Sequence, residues 1–142
     1  MKSLDAATIL AAFAHALTWV VALVLVFGPV YQGVSVTAVT PGDVATEPTR
    51  FTQTLIGVNG LRVLPFLLTP VVLTGLALLT ALLTHAGQAR RKVLLWVPTV
   101  LLLGFCVLGI WTIGLFYLPA ALALVFSAVL GTLSRVAETT TG

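Results

Sequence analysis

Charge, acidic residues and cysteine are all scarce in this chain. Charged residues make up 8% of its 142 positions, where ordinary soluble domains carry about 25%. So little polar surface cannot keep a soluble fold of this size dissolved, and the composition places the chain in the membrane class before any motif is read. The four acids, Asp5, Asp43, Glu47 and Glu138, all lie outside the long apolar blocks. That counts against cation-coupled carriers and cation channels, which set carboxylates at the midplane or in rings. One cysteine, Cys106, excludes an internal disulfide, a CxxC redox pair and a cysteine-rich metal site. It reads as a small buried apolar residue. The net charge of +3 comes from scattered Lys and Arg with no basic face of interleaved aromatics, which argues against a nucleic-acid partner.

What the chain has in abundance is long apolar runs. Four blocks stand out, at residues 6–30, 63–84, 93–114 and 117–134. A helix needs ~20 residues to cross a hydrocarbon core of ~30 Å. The first three blocks clear that length and the fourth is just short of it. The blocks lack the alternation of barrel strands, and inside hydrocarbon a helix satisfies its own backbone amides. The expected fold is therefore all-α: a single membrane domain, 1–142, built as an antiparallel bundle of four transmembrane helices. Lys2 and Val36-Thr37-Ala38 resemble parts of a cleaved signal peptide, but the first apolar run exceeds a usual h-region of about 7–15 residues, so it reads as a retained span.

The connections differ in kind. Residues 31–61 form a long one; His85 to Lys92 is short and basic; the last is nearly absent, with Gly114 to Pro119 expected to turn the chain. Short connections force antiparallel neighbours. In the long connection, Gly33–Val39 alternates like a strand, Thr40-Pro41-Gly42-Asp43 is a turn signal and Arg50–Ile56 is again β-rich, so a small β-hairpin is expected there. Lys2, Arg90, Arg91, Lys92 and Arg135 fall on one side of the spans, Arg50 and Arg62 on the other. The more basic side stays in the cytoplasm, which puts both termini inside and the long connection outside. Phe27, Tyr31, Phe66, Trp111, Phe116 and Tyr117 cluster near the outer ends, where aromatic rings settle at headgroup level.

Few residues invite a functional reading. His15 lies ~13 Å into the first span, an ionisable group at a depth where such groups often act. The second histidine, His85, is at the far end of the second span, so no bis-histidine haem pair forms, and the expectation is a neutral imidazole bonded to a neighbouring helix. Pro65, Pro70 and Pro98 read as a first-turn proline and mild kinks, Arg90–Lys92 as a topology signal. Thr69, Thr74, Thr80 and Thr112 are expected to bond their own helices. Ala123, Ser127 and Gly131 recur at four-residue spacing, the small-residue pattern that lets helices pack closely. Asn59 reads as the N-cap of the second span, which puts Arg62 in its first turn against the helix dipole. Arg62 then calls for a negative partner: Asp43 or Glu47 as a loop tether, a lipid phosphate, or an anionic ligand.

Phe27-Gly-Pro-Val-Tyr-Gln-Gly-Val-Ser35, Val58-Asn-Gly-Leu-Arg-Val63 and Trp111-Thr-Ile-Gly-Leu-Phe-Tyr-Leu-Pro-Ala-Ala121 are similar to segments of small bacterial membrane proteins known only as hypothetical. The resemblance implies four spans and a bacterial cytoplasmic membrane, and carries over no functional residue. No catalytic, metal or cofactor constellation can be assembled from the sequence. The expectation is a non-enzymatic structural or accessory membrane protein acting through lipids, a second copy or a partner membrane protein. The alternative is a small oligomeric channel or transporter for an uncharged or anionic solute.

Overall fold

The computed structural model describes residues 5–35, 49–84 and 89–139. In chain order the elements are α1 (Ala6–Phe27), β1 (Tyr31–Ser35), β2 (Thr49–Gln53), a short α2 (Leu55–Asn59), a 3-10 turn (Gly60–Val63), α3 (Leu64–Leu83), α4 (Ala89–Leu108) and α5 (Gly114–Thr139). The four long helices form a square array in which α1 and α4 each pack against both α3 and α5. The start of α1 meets the end of α3, the start of α4 and the later half of α5, so consecutive helices run antiparallel. This end is called the ion-pair end below, and the opposite one the hairpin end. All four helices are long and apolar enough to cross a membrane.

Helix α1 starts where the Asp5 carboxylate accepts the Thr8 amide at 3.2 Å, an N-cap bond. It stops at Gly28, followed by Pro29, which cannot continue a helix. Its buried residues are Ala7, Thr8, Ala11, Ala14, Thr18, Ala22 and Leu25, a seam at three- and four-residue spacing made almost entirely of small side chains. Such a seam lets neighbouring backbones approach closely. Apart from Leu25, the larger buried side chains come from the other helices: Leu67, Leu95, Leu102, Tyr117 and Leu124. Trp19, Phe13, Phe66, Val97, Leu108 and Phe126 stand on the outside instead. Buried residues are only 28–50% of the most apolar window in each helix.

Strands β1 and β2 pair antiparallel, with Gly33 opposite Phe51. A Cβ at Gly33 would sit 2.4 Å from the Phe51 ring, so glycine is what lets that ring lie across the hairpin. The expected strands reach further than the observed ones. Leu55 and Ile56 are helical because the Thr54 hydroxyl caps α2, accepting the Gly57 amide at 3.1 Å. Residues 36–39 and the Thr40–Asp43 turn lie outside the described residues.

Three more expectations need correction. Asn59 does not cap the second span. It closes α2, and its amide donates to the Leu55 carbonyl at 3.1 Å. Gly60 then takes φ +66°, a conformation costly for any other residue, and the chain re-enters helix at Leu64 with Pro65 in the first turn. Arg62 therefore belongs to the preceding 3-10 turn. The last connection lies earlier than expected, at Gly109–Ile113, because the Gly114 amide reaches back to the Gly109 carbonyl at 2.7 Å. A Cβ at Gly114 would come within 2.5 Å of the Cys106 carbonyl oxygen, so the turn is closed by backbone contact that only glycine permits. Pro119 falls inside α5. Finally, Arg90, Arg91 and Lys92 are not a loop. They lie in the first turn of α4.

Candidate functional site

The polar groups of the bundle gather in three places. At the ion-pair end, the Arg91 side chain is turned into the bundle and is only 3% exposed. Its Nη2 lies 2.7 Å from Asp5 Oδ2 and donates to Thr8 Oγ1 at 3.3 Å. The Thr8 hydroxyl in turn donates to Asp5 Oδ1. One carboxylate thus caps α1 and neutralises a guanidinium from α4. Burial raises the Asp5 pKa, but hydrogen bonds from Thr8 and Arg91 and the guanidinium charge outweigh it, holding the carboxyl below its ordinary 3.8. Arg91 Nε is buried without a hydrogen-bond partner among the described residues. Next to this group, the Ser127 hydroxyl donates to the Ala7 carbonyl at 2.6 Å and ties α5 to α1.

At mid-bundle, His15 Nδ1 lies 3.0 Å from Thr74 Oγ1 on α3, and the Trp19 indole donates to His15 Nε2 at 3.2 Å. An indole N–H can only donate. His15 Nε2 must therefore carry the lone pair and Nδ1 the proton, which goes to Thr74 Oγ1. The Thr74 hydroxyl passes its own proton to the Pro70 carbonyl at 2.9 Å. The neutral imidazole satisfies this chain at both nitrogens and leaves neither for a metal. The ring lies against Gly75 of α3, where a Cβ would be in ordinary contact with His15 Cε1 at 3.4 Å. Thr69, Thr80 and Thr112 likewise donate to carbonyls of their own segment.

At the hairpin end Tyr117 is fully buried. This corrects its place in the aromatic belt. Its hydroxyl donates to the Leu67 carbonyl at 3.0 Å, and its ring meets Phe105 edge-on. Phe27 and Trp111 do stand outward, 74% and 95% exposed. Between α3 and α4 above Phe105 lies an apolar groove of about 690 Å³, rimmed by Tyr31, Asn59 and Thr112.

The residues singled out in the sequence fare unequally. Ala123, Ser127 and Gly131 are buried. A Cβ on Gly131 would lie 3.1 Å from Leu95 Cδ1 and 3.9 Å from Ala7 Cβ, so that stripe faces α4 and α1 within the same chain. Arg62 is exposed, and no described carboxylate lies within ion-pair reach of it. Asp43 and Glu47 lie outside the described residues. Cys106 is buried as a free thiol. No group of three His, Cys, Asp or Glu side chains that could hold a metal occurs among the described residues. The sequence reading missed the Asp5–Arg91 pair. The signal was present: Asp5 precedes the first span and Arg91 precedes the third, and an antiparallel bundle brings those two ends together. No family model, curated relative or solved structure matches the chain.

Proposed function

We propose that this chain is an integral membrane protein of the bacterial cytoplasmic membrane, with both termini inside, which acts by contact with lipid and protein partners and not by catalysis. The observation that carries the reading is an inversion of polarity. Helix α1 meets its neighbours largely through Ala and Thr, and the hydroxyls, imidazole and phenol of the bundle bond to groups of the same chain. The outward faces are Leu, Val, Phe and Trp. Exposed apolar surface of that extent is tolerated in lipid and not in water. A seam of small side chains along α1 lets the helices pack closely and leaves the outer faces to partners.

Three measurements test this. Expressed protein is expected to stay with membranes through carbonate extraction. In a Cys106→Ser background, Gly42→Cys is expected to react with an impermeant maleimide from outside and Gln88→Cys to be protected; the reverse pattern overturns the orientation. Liposomes carrying the purified protein are expected to retain chloride, glycerol and a small dye as empty liposomes do. Protein-dependent flux would replace the accessory role by that of a channel or transporter.

A further inference from the structure

Of the three consecutive basic residues that open α4, only Arg91 turns into the bundle, where Asp5 neutralises it. Lys92 is half-buried at the mouth of a groove between α4 and α5, and no described carboxylate pairs with it. The groove has a volume of about 520 Å³, and its floor is Trp96, Val97, Val100 and Leu101 of α4 with Thr132 of α5. These α4 positions follow Lys92 at helical spacing, so cation and apolar floor share one face. From Lys92 to Leu101 is nine residues, ~14 Å along a helix, close to half of a ~30 Å hydrocarbon core. A basic mouth, an indole one turn below it and an apolar floor one leaflet deep follow the profile of a single phospholipid: phosphate, glycerol region, acyl chain.

We infer that this groove binds one anionic phospholipid, with its phosphate at the Lys92 ammonium and an acyl chain along Val97, Val100 and Leu101. The inference rests on the membrane reading above. It commits to an anionic headgroup because Lys92 and the neighbouring exposed Arg90 have no described carboxylate partner, while the Arg91 guanidinium is paired with Asp5. Juxtamembrane cations of this kind favour anionic lipid in the cytoplasmic leaflet. A lipid chain suits the floor better than a partner helix, because the groove is shallow and lies under a single cation.

The test is native mass spectrometry of the full-length protein in detergent, with phosphatidylglycerol or phosphatidylcholine of identical chains added in equal amounts. The parent is expected to retain one phosphatidylglycerol in preference to phosphatidylcholine. Lys92→Gln is expected to lower that retention roughly fivefold, the effect of one surface cation. Val97→Trp, which fills the floor without changing charge, is expected to lower it as well, and Arg90→Gln to lower it less than Lys92→Gln. Equal retention of the two lipids by the parent overturns the site. So does a Val97→Trp variant that binds like the parent, or an Arg90→Gln variant as weak as Lys92→Gln, since either means diffuse charge and no groove. A dimer that excludes lipid gives the groove to a second copy and overturns the site too. All three positions face outward, so melting in detergent is expected to match the parent. A protein that never fractionates with membranes fails the earlier reading before any lipid is added.

Discussion

Asp5→Asn separates charge from capping at the ion-pair end. Asparagine caps a helix about as well as aspartate, so the Thr8 amide keeps its acceptor and only the ion pair is lost. What remains is a guanidinium 3% exposed, held among the described residues by Thr8. Removing one partner of a fully buried pair costs about 3–5 kcal/mol. The Asp5 side chain is 37% exposed, so water already screens part of the attraction, and we expect about 2 kcal/mol. Arg91→Met is expected to cost less, because Asp5 keeps its Thr8 bonds and its access to water. The double variant is expected to recover part of the Asp5→Asn loss, with a coupling within roughly 0.5–3 kcal/mol. The assay is reversible unfolding in mixed micelles, with the full double-mutant cycle. The pH dependence follows from the lowered Asp5 pKa. Its stabilising contribution is complete above the ordinary value of 3.8 and is lost as pH falls below that value through the folded-state pKa. Parent and Asp5→Asn should therefore converge in acid. Additive single variants, or a gap between parent and Asp5→Asn that persists unchanged at low pH, would refute the argument.

Gly131→Leu pushes a side chain against Leu95 and Ala7 and is expected to destabilise by about 1–3 kcal/mol in the same assay; unchanged stability means α5 is not closely packed there. Tyr117→Phe removes the bond to the Leu67 carbonyl while keeping the ring, and a loss of about 0.5–1.5 kcal/mol is expected. His15→Ala is expected to shift the Trp19 fluorescence, since the indole loses its acceptor. Protein expressed with ample haem should show no Soret band; a stoichiometric band that disappears in His15→Ala would contradict the closed bonding of the imidazole.

The sequence by itself determined the number of long apolar helices, their approximate limits and their antiparallel order. Those properties follow from the length and apolarity of each block and the shortness of two connections, and α1 and α3 begin within a residue of where block boundaries put them. It also pointed to a bonded His15 and to threonines turned onto their own helices, because groups in an apolar span have few other partners. Tertiary structure alone decided the rest. Arg91, Arg90 and Lys92 look equivalent as a basic run, and only the packing of α4 against α3 and α5 shows which one turns inward to reach Asp5. Tyr117 reads as an interfacial ring until α3 supplies the Leu67 carbonyl. Asn59 has the chemistry of an N-cap, but Thr54 five residues earlier caps a shorter helix, and the break at Gly60 moves the start of α3 to Leu64. The last turn shifted from Gly114–Pro119 to Gly109–Ile113 because a close backbone contact at Gly114, not composition, ends α4. In each case the deciding partner is distant in sequence or lies in backbone geometry, and neither is encoded in local hydropathy.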